Sequence, residues 1–392
     1  MPHDRTHLFA PGPTVVPERV LAAMARAGAH HRTPEFEAVL RDCTERLRPL
    51  FGTAGDVVLL TGAGTLAMEA AVTNFLRDDQ PVLVVDGGKF GERWWKLCKA
   101  YGVPYRVLEL PWGHAADPAA IAATLRANPS LRAVLCTANE SSTGTWNPVS
   151  EIARVCREAH DVLCVVDAVS CLGAVPISMD TWGIDVLVAA SQKALMTPPG
   201  LAFVAASERA WRRHSNLPRF YADLRAERVA QATGKTVGTP AIHLVFALQQ
   251  ALAMLEHEGL DAVFRRHSRL AFAVREGLAA IGFGAFSRSP SRTVTAVHGL
   301  EGFPTAPLIA RLRERRRLII ANGQDRVKDR IVRIGHMGHV SETDVFGLLG
   351  TIELSLIELG ASVNPGAGAG AAISALARLE QSADRSDAEV PR

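Results

Sequence analysis

At 392 residues the chain is long enough for two domains with separate cores, and 48% apolar with 21% charged residues is ordinary globular composition. A net charge of +3 leaves no electrostatic footprint for nucleic acid or an anionic membrane as partner. No apolar run reaches bilayer length and MPHDRTHLFAPGP lacks a signal-peptide core, so the expectation is a cytoplasmic protein.

Strand-like and helix-like segments alternate from about residue 55 to 210. Residues 57–60 read as a strand before a helix at 66–76, 82–85 precede a helix at 93–101, and 133–137 precede one at 149–159. Further apolar strands end at Asp167, Ala190 and Ala206. Such alternation predicts an α/β fold, a mostly parallel sheet covered by helices on both faces, with ligands bound beyond the carboxyl ends of the strands. This large domain spans 21–257 after an N-terminal segment at 1–20. A helical stretch at 241–257 leads to a smaller α+β domain at 258–360, with strands at 318–321 and 331–334. The Gly-, Ala- and Ser-rich residues 361–392 are expected to be a disordered tail with a short helix at 371–379.

Two residues at strand ends carry the chemistry. Asp167 closes the run Val162-Leu163-Cys164-Val165-Val166, and Lys193 follows the run 184–190 in Ser191-Gln192-Lys193, with the rigid turn Thr197-Pro198-Pro199-Gly200 behind it. A lysine held there is partly desolvated, which favours its neutral, nucleophilic form. An amine and a carboxylate so placed suit pyridoxal phosphate: the amine forms a Schiff base and the carboxylate keeps the pyridine nitrogen protonated.

Thr61-Gly62-Ala63-Gly64-Thr65 joins a strand to a helix, and its glycines and first helical amides suit a phosphate. The same letters fit a dinucleotide fingerprint, Gly62-x-Gly64-x-x-Ala67 with Asp86 after the next strand, so an NAD-dependent dehydrogenase competes. That alternative leaves Asp167 and Lys193 unexplained. The six cysteines form no CxxC pair and read as reduced thiols. His30-His31 and His336-x-x-His339 lack a third ligand, so no metal is expected. The arginines at 311, 313, 315, 316 and 317 fall on a helical pattern and read as a solvated face.

With these pieces assembled, the chain resembles the class V aminotransferases of fold type I, the alanine–glyoxylate and serine–glyoxylate group in particular, which implies a seven-stranded sheet. The resemblance rests on Phe9-Ala10-Pro11-Gly12-Pro13-Thr14, His31-Arg32-Thr33-Pro34-Glu35-Phe36 and Phe90-Gly91-Glu92-Arg93. It extends through Asn139-Glu140-Ser141-Ser142-Thr143-Gly144, Val166-Asp167-Ala168-Val169-Ser170, Ser191-Gln192-Lys193 and Val332-Arg333-Ile334-Gly335.

The resemblance implies that Lys193 holds pyridoxal 5'-phosphate as an internal aldimine and shuttles the proton, while Asp167 pairs with the pyridinium. It implies Val169 against one ring face, Phe90 on the other where a tryptophan often stands, and Ser141 near the ring oxygen. Ala63, Gly64, Thr65 and Gln192 would hold the phosphate, with Ala63 departing from a frequent Ser or Thr. A partner subunit's Thr-Pro segment reaches the phosphate in this family. Here Thr236 or Thr239 would serve, Thr239 being favoured, which implies a homodimer with shared active sites.

Arg333, inside the apolar run 331–335, needs an anionic partner, and its fork matches a substrate α-carboxylate or a structural acid. Gly12 in the Pro-Gly-Pro loop would border a small substrate. The implied reaction is ping-pong transfer from alanine or serine to glyoxylate or pyruvate. A 2-aminoethylphosphonate–pyruvate-type transaminase is the alternative. Cysteine desulfuration is set aside because no cysteine follows Cys171.

Overall fold

Seven short, mostly apolar runs build the central sheet: β1 (Val57–Gly62), β2 (Val82–Asp86), β3 (Tyr105–Glu109), β4 (Ala133–Thr137), β5 (Leu163–Asp167), β6 (Val186–Ala190) and β7 (Gly200–Ala206). The computed structural model describes residues 6–28, 30–159 and 161–388, and side chains as far as 381. The spatial order is β1-β7-β6-β5-β4-β2-β3, with β7 antiparallel to both neighbours and every other pairing parallel.

Alternate side chains enter alternate cores. Val57 and Leu59, with Cys164 and Val166, pack on one face beneath the Pro34–Phe51 helix. Val58 and Leu60, with Leu163 and Val165, pack on the other beneath Met68 and Trp94. Both faces are covered, which is why these strands read as continuous apolar runs rather than alternating ones. Register then aligns the strand ends: Thr137 lies beside Asp167, and Asp167 beside Val188.

The Ile242–Glu258 helix leads into Leu260–Ile281 and the small domain, whose sheet has the order β8 (Val294–His298), β10 (Ile331–Gly335), β9 (Ala321–Asn322). The strand expected at 318–321 is divided. Leu318–Ile319 pairs in parallel with His7–Leu8, while β9 pairs with β10. The N-terminal segment is therefore docked on the small domain, and the Gly335 amide donates to the Phe9 carbonyl at 2.6 Å.

The expectation of a disordered tail is corrected by the helix Ala367–Ala388. Its small residues are packing surface rather than linker. Ala372, Ala375 and Leu376 are buried, and a Cβ added at Gly277 of the facing helix would lie 2.8 Å from the Gly368 carbonyl. The Glu353 carboxylate accepts from the Gly366 and Gly368 amides at 2.8 and 2.5 Å, supplying the cap that the sequence around 367 lacks. No described helix is long and apolar enough to cross a membrane.

Candidate active site

Lys193 sits in a loop closed by its neighbours. The Ser191 hydroxyl donates to the Pro198 carbonyl at 2.7 Å and accepts from the Leu201 amide at 3.2 Å, while the Ser191 carbonyl accepts from Thr197 N at 3.1 Å. The N-terminal segment lies across it: Thr14 N donates to the Gln192 carbonyl at 3.1 Å, and Thr14 Oγ1 to the Lys193 carbonyl at 2.8 Å. Lys193 Nζ donates to the Pro11 carbonyl at 2.5 Å.

Gly12 has φ +125°, a conformation L side chains rarely adopt, and a Cβ there would fall 2.3 Å from Nζ. Gly12→Ala is thus expected to cost about 1–3 kcal/mol in backbone strain. By displacing Nζ it should also lower kcat/KM by about tenfold or more. Thermal melting and steady-state kinetics check both effects.

Burial lowers Lys193 to about 8, helped by the charges of Arg333 and Arg93 and opposed by Asp167. Burial raises Asp167 to about 6, against the Val169 N–H bond and the nearby Arg93 and Lys193 charges. The Val169 amide meets Asp167 Oδ1 at 2.7 Å, and Oδ2 has no donor among the described residues. A buried carboxylate with one oxygen unsatisfied suits an N–H cation.

The helix expected from 66 begins at Gly64 and runs to Phe75, with no side-chain cap. Its first amides are therefore available to an anion. Gly64 is needed for close approach, since a Cβ there would lie 2.9 Å from Val169 Cγ2. Ala63 and Thr65 are exposed, and the buried Gln192 Oε1 has no partner among the described residues.

The helix expected from 93 likewise begins earlier, at Lys89, and ends at Ala100. Its N-terminus carries Phe90 and is held by Glu140, a residue the sequence reading quoted only as part of a motif. The buried Glu140 carboxylate accepts from the amides of Phe90 at 3.0 Å, Gly91 at 2.9 Å and Ser142 at 3.2 Å, and from the Ser142 hydroxyl at 2.5 Å. Arg93, one turn on, stacks its guanidinium 4.9 Å from the Phe90 ring centroid. Glu140 could not be singled out from letters alone, because the Phe90 and Gly91 amides it holds lie in another segment.

Arg333 is 6% exposed on β10. Its Nε donates to the Asn322 carbonyl at 2.9 Å and Nη1 to the Ser141 carbonyl at 3.0 Å. No carboxylate of the described residues forms an ion pair with it; desolvation lowers its pKa to about 10 against the nearby buried Glu140 charge, so it stays cationic at neutral pH. The contacts thus join Gly12 to Lys193, Gly64 to Val169 and Ser141 to Arg333. Thr239 is exposed and its hydroxyl has no partner among the described residues, whereas Thr236 Oγ1 is committed to the Gly238 carbonyl at 2.6 Å.

A family model described as Aminotransferase class-V matches residues 6–333. The chain belongs to the class V aminotransferases. This aminotransferase is 40% identical, over 94% of its own length and 98% of the relative's, to a Synechococcus sp. protein named soluble hydrogenase, small subunit. It is 35% identical to the serine–glyoxylate aminotransferase of Methylorubrum extorquens, over 95% of this chain and 96% of that one. The crystal structure of an alanine–glyoxylate aminotransferase from Nostoc sp. superposes with a TM-score of 0.86 at 28% identity, covering 90% of this chain and 95% of that one.

The aminotransferase is a pyridoxal-phosphate-dependent transaminase of fold type I. The unsatisfied Asp167 oxygen, the uncapped Gly64 helix and the buried amine fit that cofactor. The sheet topology excludes the dehydrogenase alternative. β1 lies at the sheet edge beside an antiparallel strand, where a dinucleotide fold would need a central parallel strand. Asp86 is already engaged by Trp95 Nε1 at 2.9 Å and Gly88 N at 3.3 Å.

Proposed function

We propose that this aminotransferase moves an amino group from alanine or serine to glyoxylate or pyruvate by a ping-pong cycle in the cytoplasm. One observation carries the reading: Arg333, a buried guanidinium with no ion-paired carboxylate among the described residues, shares a site with the depressed amine of Lys193. Small substrates are favoured because the Pro11 carbonyl and the Gly12 backbone crowd Nζ. Two relatives are named serine–glyoxylate aminotransferases, and the Nostoc neighbour is an alanine–glyoxylate aminotransferase.

Pyridoxal phosphate, when bound, supplies a carbonyl that exchanges amines and a ring that draws electrons from the substrate Cα. Lys193 Nζ would hold it and move the proton at Cα. With a pKa near 8 a useful fraction is neutral at physiological pH. Asp167 would keep a proton on the ring nitrogen. Val169 and Phe90 would flank the ring, Ser141 would meet its oxygen, and the amides of Ala63, Gly64 and Thr65 with Gln192 would take the phosphate. Arg333 would bind the α-carboxylate of donor and acceptor in turn.

The active sites would be shared between two copies. Phe220 is 94% and Tyr221 59% exposed, Val237 is exposed as well, and the Tyr221 hydroxyl reaches the Thr61 carbonyl at 3.5 Å beside the phosphate loop. Apolar side chains this open at a site's rim suit a second copy, whose free Thr239 hydroxyl would complete the phosphate shell.

The test is a panel of alanine, serine, aspartate and 2-aminoethylphosphonate against glyoxylate and pyruvate, run on protein of measured sedimentation mass. Alanine or serine with glyoxylate as the best pair, in a dimer, is expected. Preference for the phosphonate, or full activity in a monomer, would overturn the reading.

A further inference from the structure

Arg333 is gripped by two loops, and those loops are tied to each other at a distance from the site. The Asn322 carbonyl that takes Arg333 Nε begins a small-domain loop closed on itself. Asn322 Nδ2 donates to Asp329 Oδ1 at 2.5 Å, Asp329 N donates to Asn322 Oδ1 at 2.9 Å, and Gly323 N donates to the Ile331 carbonyl at 3.0 Å. At its tip Asp325 adopts φ +50°, a left-handed conformation that costs an aspartate energy and is kept only where the surroundings require it.

The Asp325 carboxylate points across the domain boundary and accepts from Lys89 Nζ at 2.9 Å. Lys89 opens the Lys89–Ala100 helix, and its backbone amide donates to Ser142 Oγ at 3.0 Å, next to the Ser141 carbonyl that takes Arg333 Nη1. Glu92, 2.5 Å from Nζ, steadies the ammonium from within the helix. The circuit is therefore closed partly through backbone: Arg333 to the Asn322 carbonyl, along the loop to Asp325, across to Lys89, on to Ser142 and its neighbour Ser141, and back to Arg333.

We propose that Lys89 and Asp325 are positioning residues, an interdomain clasp that sets the two carbonyls framing the Arg333 guanidinium and so tunes affinity for substrate carboxylates. The proposal rests on the reading of Arg333 as the carboxylate site. Neither residue touches substrate. Their side chains are 27% and 54% exposed, so the pair is partly screened by water and salt and its effect is graded.

The experiment compares the holoenzyme with Lys89→Met, Asp325→Asn, their double variant and Arg333→Lys. It measures KM and kcat for donor and oxo acid, propionate binding from the cofactor absorbance, and melting temperature. Each clasp variant is expected to raise both KM values and the propionate Kd about three- to fivefold, the scale of a partly exposed ion pair. Turnover, cofactor absorbance and melting should barely change, and the double variant should be no worse than the poorer single. Raising salt should weaken propionate binding in the parent and less so in Asp325→Asn. Unmoved constants in the clasp variants, or additive effects in the double, overturn the proposal if Arg333→Lys raises KM. If Arg333→Lys leaves KM unchanged, the carboxylate reading itself falls and takes the clasp with it.

Discussion

Lys193→Ala is expected to lower kcat by about ten-thousandfold or more, since on the proposed mechanism it would remove both the covalent anchor and the proton carrier at Cα. The apoprotein should behave in the opposite sense. Burial holds Lys193 at about 8 against an ordinary value of 10.5, so its folded state disfavours the charged form. A depressed base contributes stability that is fully present above its unfolded pKa and is lost as pH falls through the folded one. The parent apoprotein should therefore gain up to about 3 kcal/mol relative to the alanine variant as pH rises from about 8 to about 10.5. Losing the bond to the Pro11 carbonyl trims that difference. Paired denaturant titrations at pH 7.5 and 10 with the cofactor removed read the increment. A pH-independent difference between the two chains would contradict the buried ammonium.

Arg333→Lys is expected to raise KM for amino donor and oxo acid alike by about 30- to 100-fold, the worth of a buried, charge-assisted bidentate contact. Two of its nitrogens are spent on the Asn322 and Ser141 carbonyls, which aims the remaining guanidinium edge. A lysine ammonium is a point charge that cannot satisfy two carbonyls and present a planar fork. Turnover at saturation should fall less than KM rises, and cofactor content should change little, because Arg333 touches the proposed cofactor shell only through the Ser141 backbone carbonyl. Competition with simple carboxylates should weaken in step. A variant that loses cofactor instead would place Arg333 in the structural frame.

Much of this was legible in the letters because strand ends announce themselves. Asp167 closes one apolar run and Lys193 follows three residues after another, and parallel register sets Asp167 beside Val188, two residues short of the end of β6. Arg333 stood out as a charge inside an apolar strand. What stayed hidden depends on contacts between distant segments. Glu140 gains its meaning from the amides of Phe90 and Gly91, and Lys89 from Asp325, none of which any local period reveals.

The C-terminal segment misled for a compositional reason. Glycine and alanine lower hydrophobicity as in a linker, yet at Gly277 and Gly368 they let two helices approach closely enough to pack. Helix starts at Gly64 and Lys89 were misplaced because no side-chain cap marks either one. Glu140 stands where the cap of the second would be, and the first amides of the Gly64 helix are left without a side-chain acceptor.

The most direct test is borohydride reduction of the holoenzyme followed by peptide mapping. The account predicts a single pyridoxyl tag on Lys193, with the yellow absorbance lost in proportion to tagging and no tag after Lys193→Ala. A tag on another lysine, or none in protein that has taken up the cofactor, would contradict it.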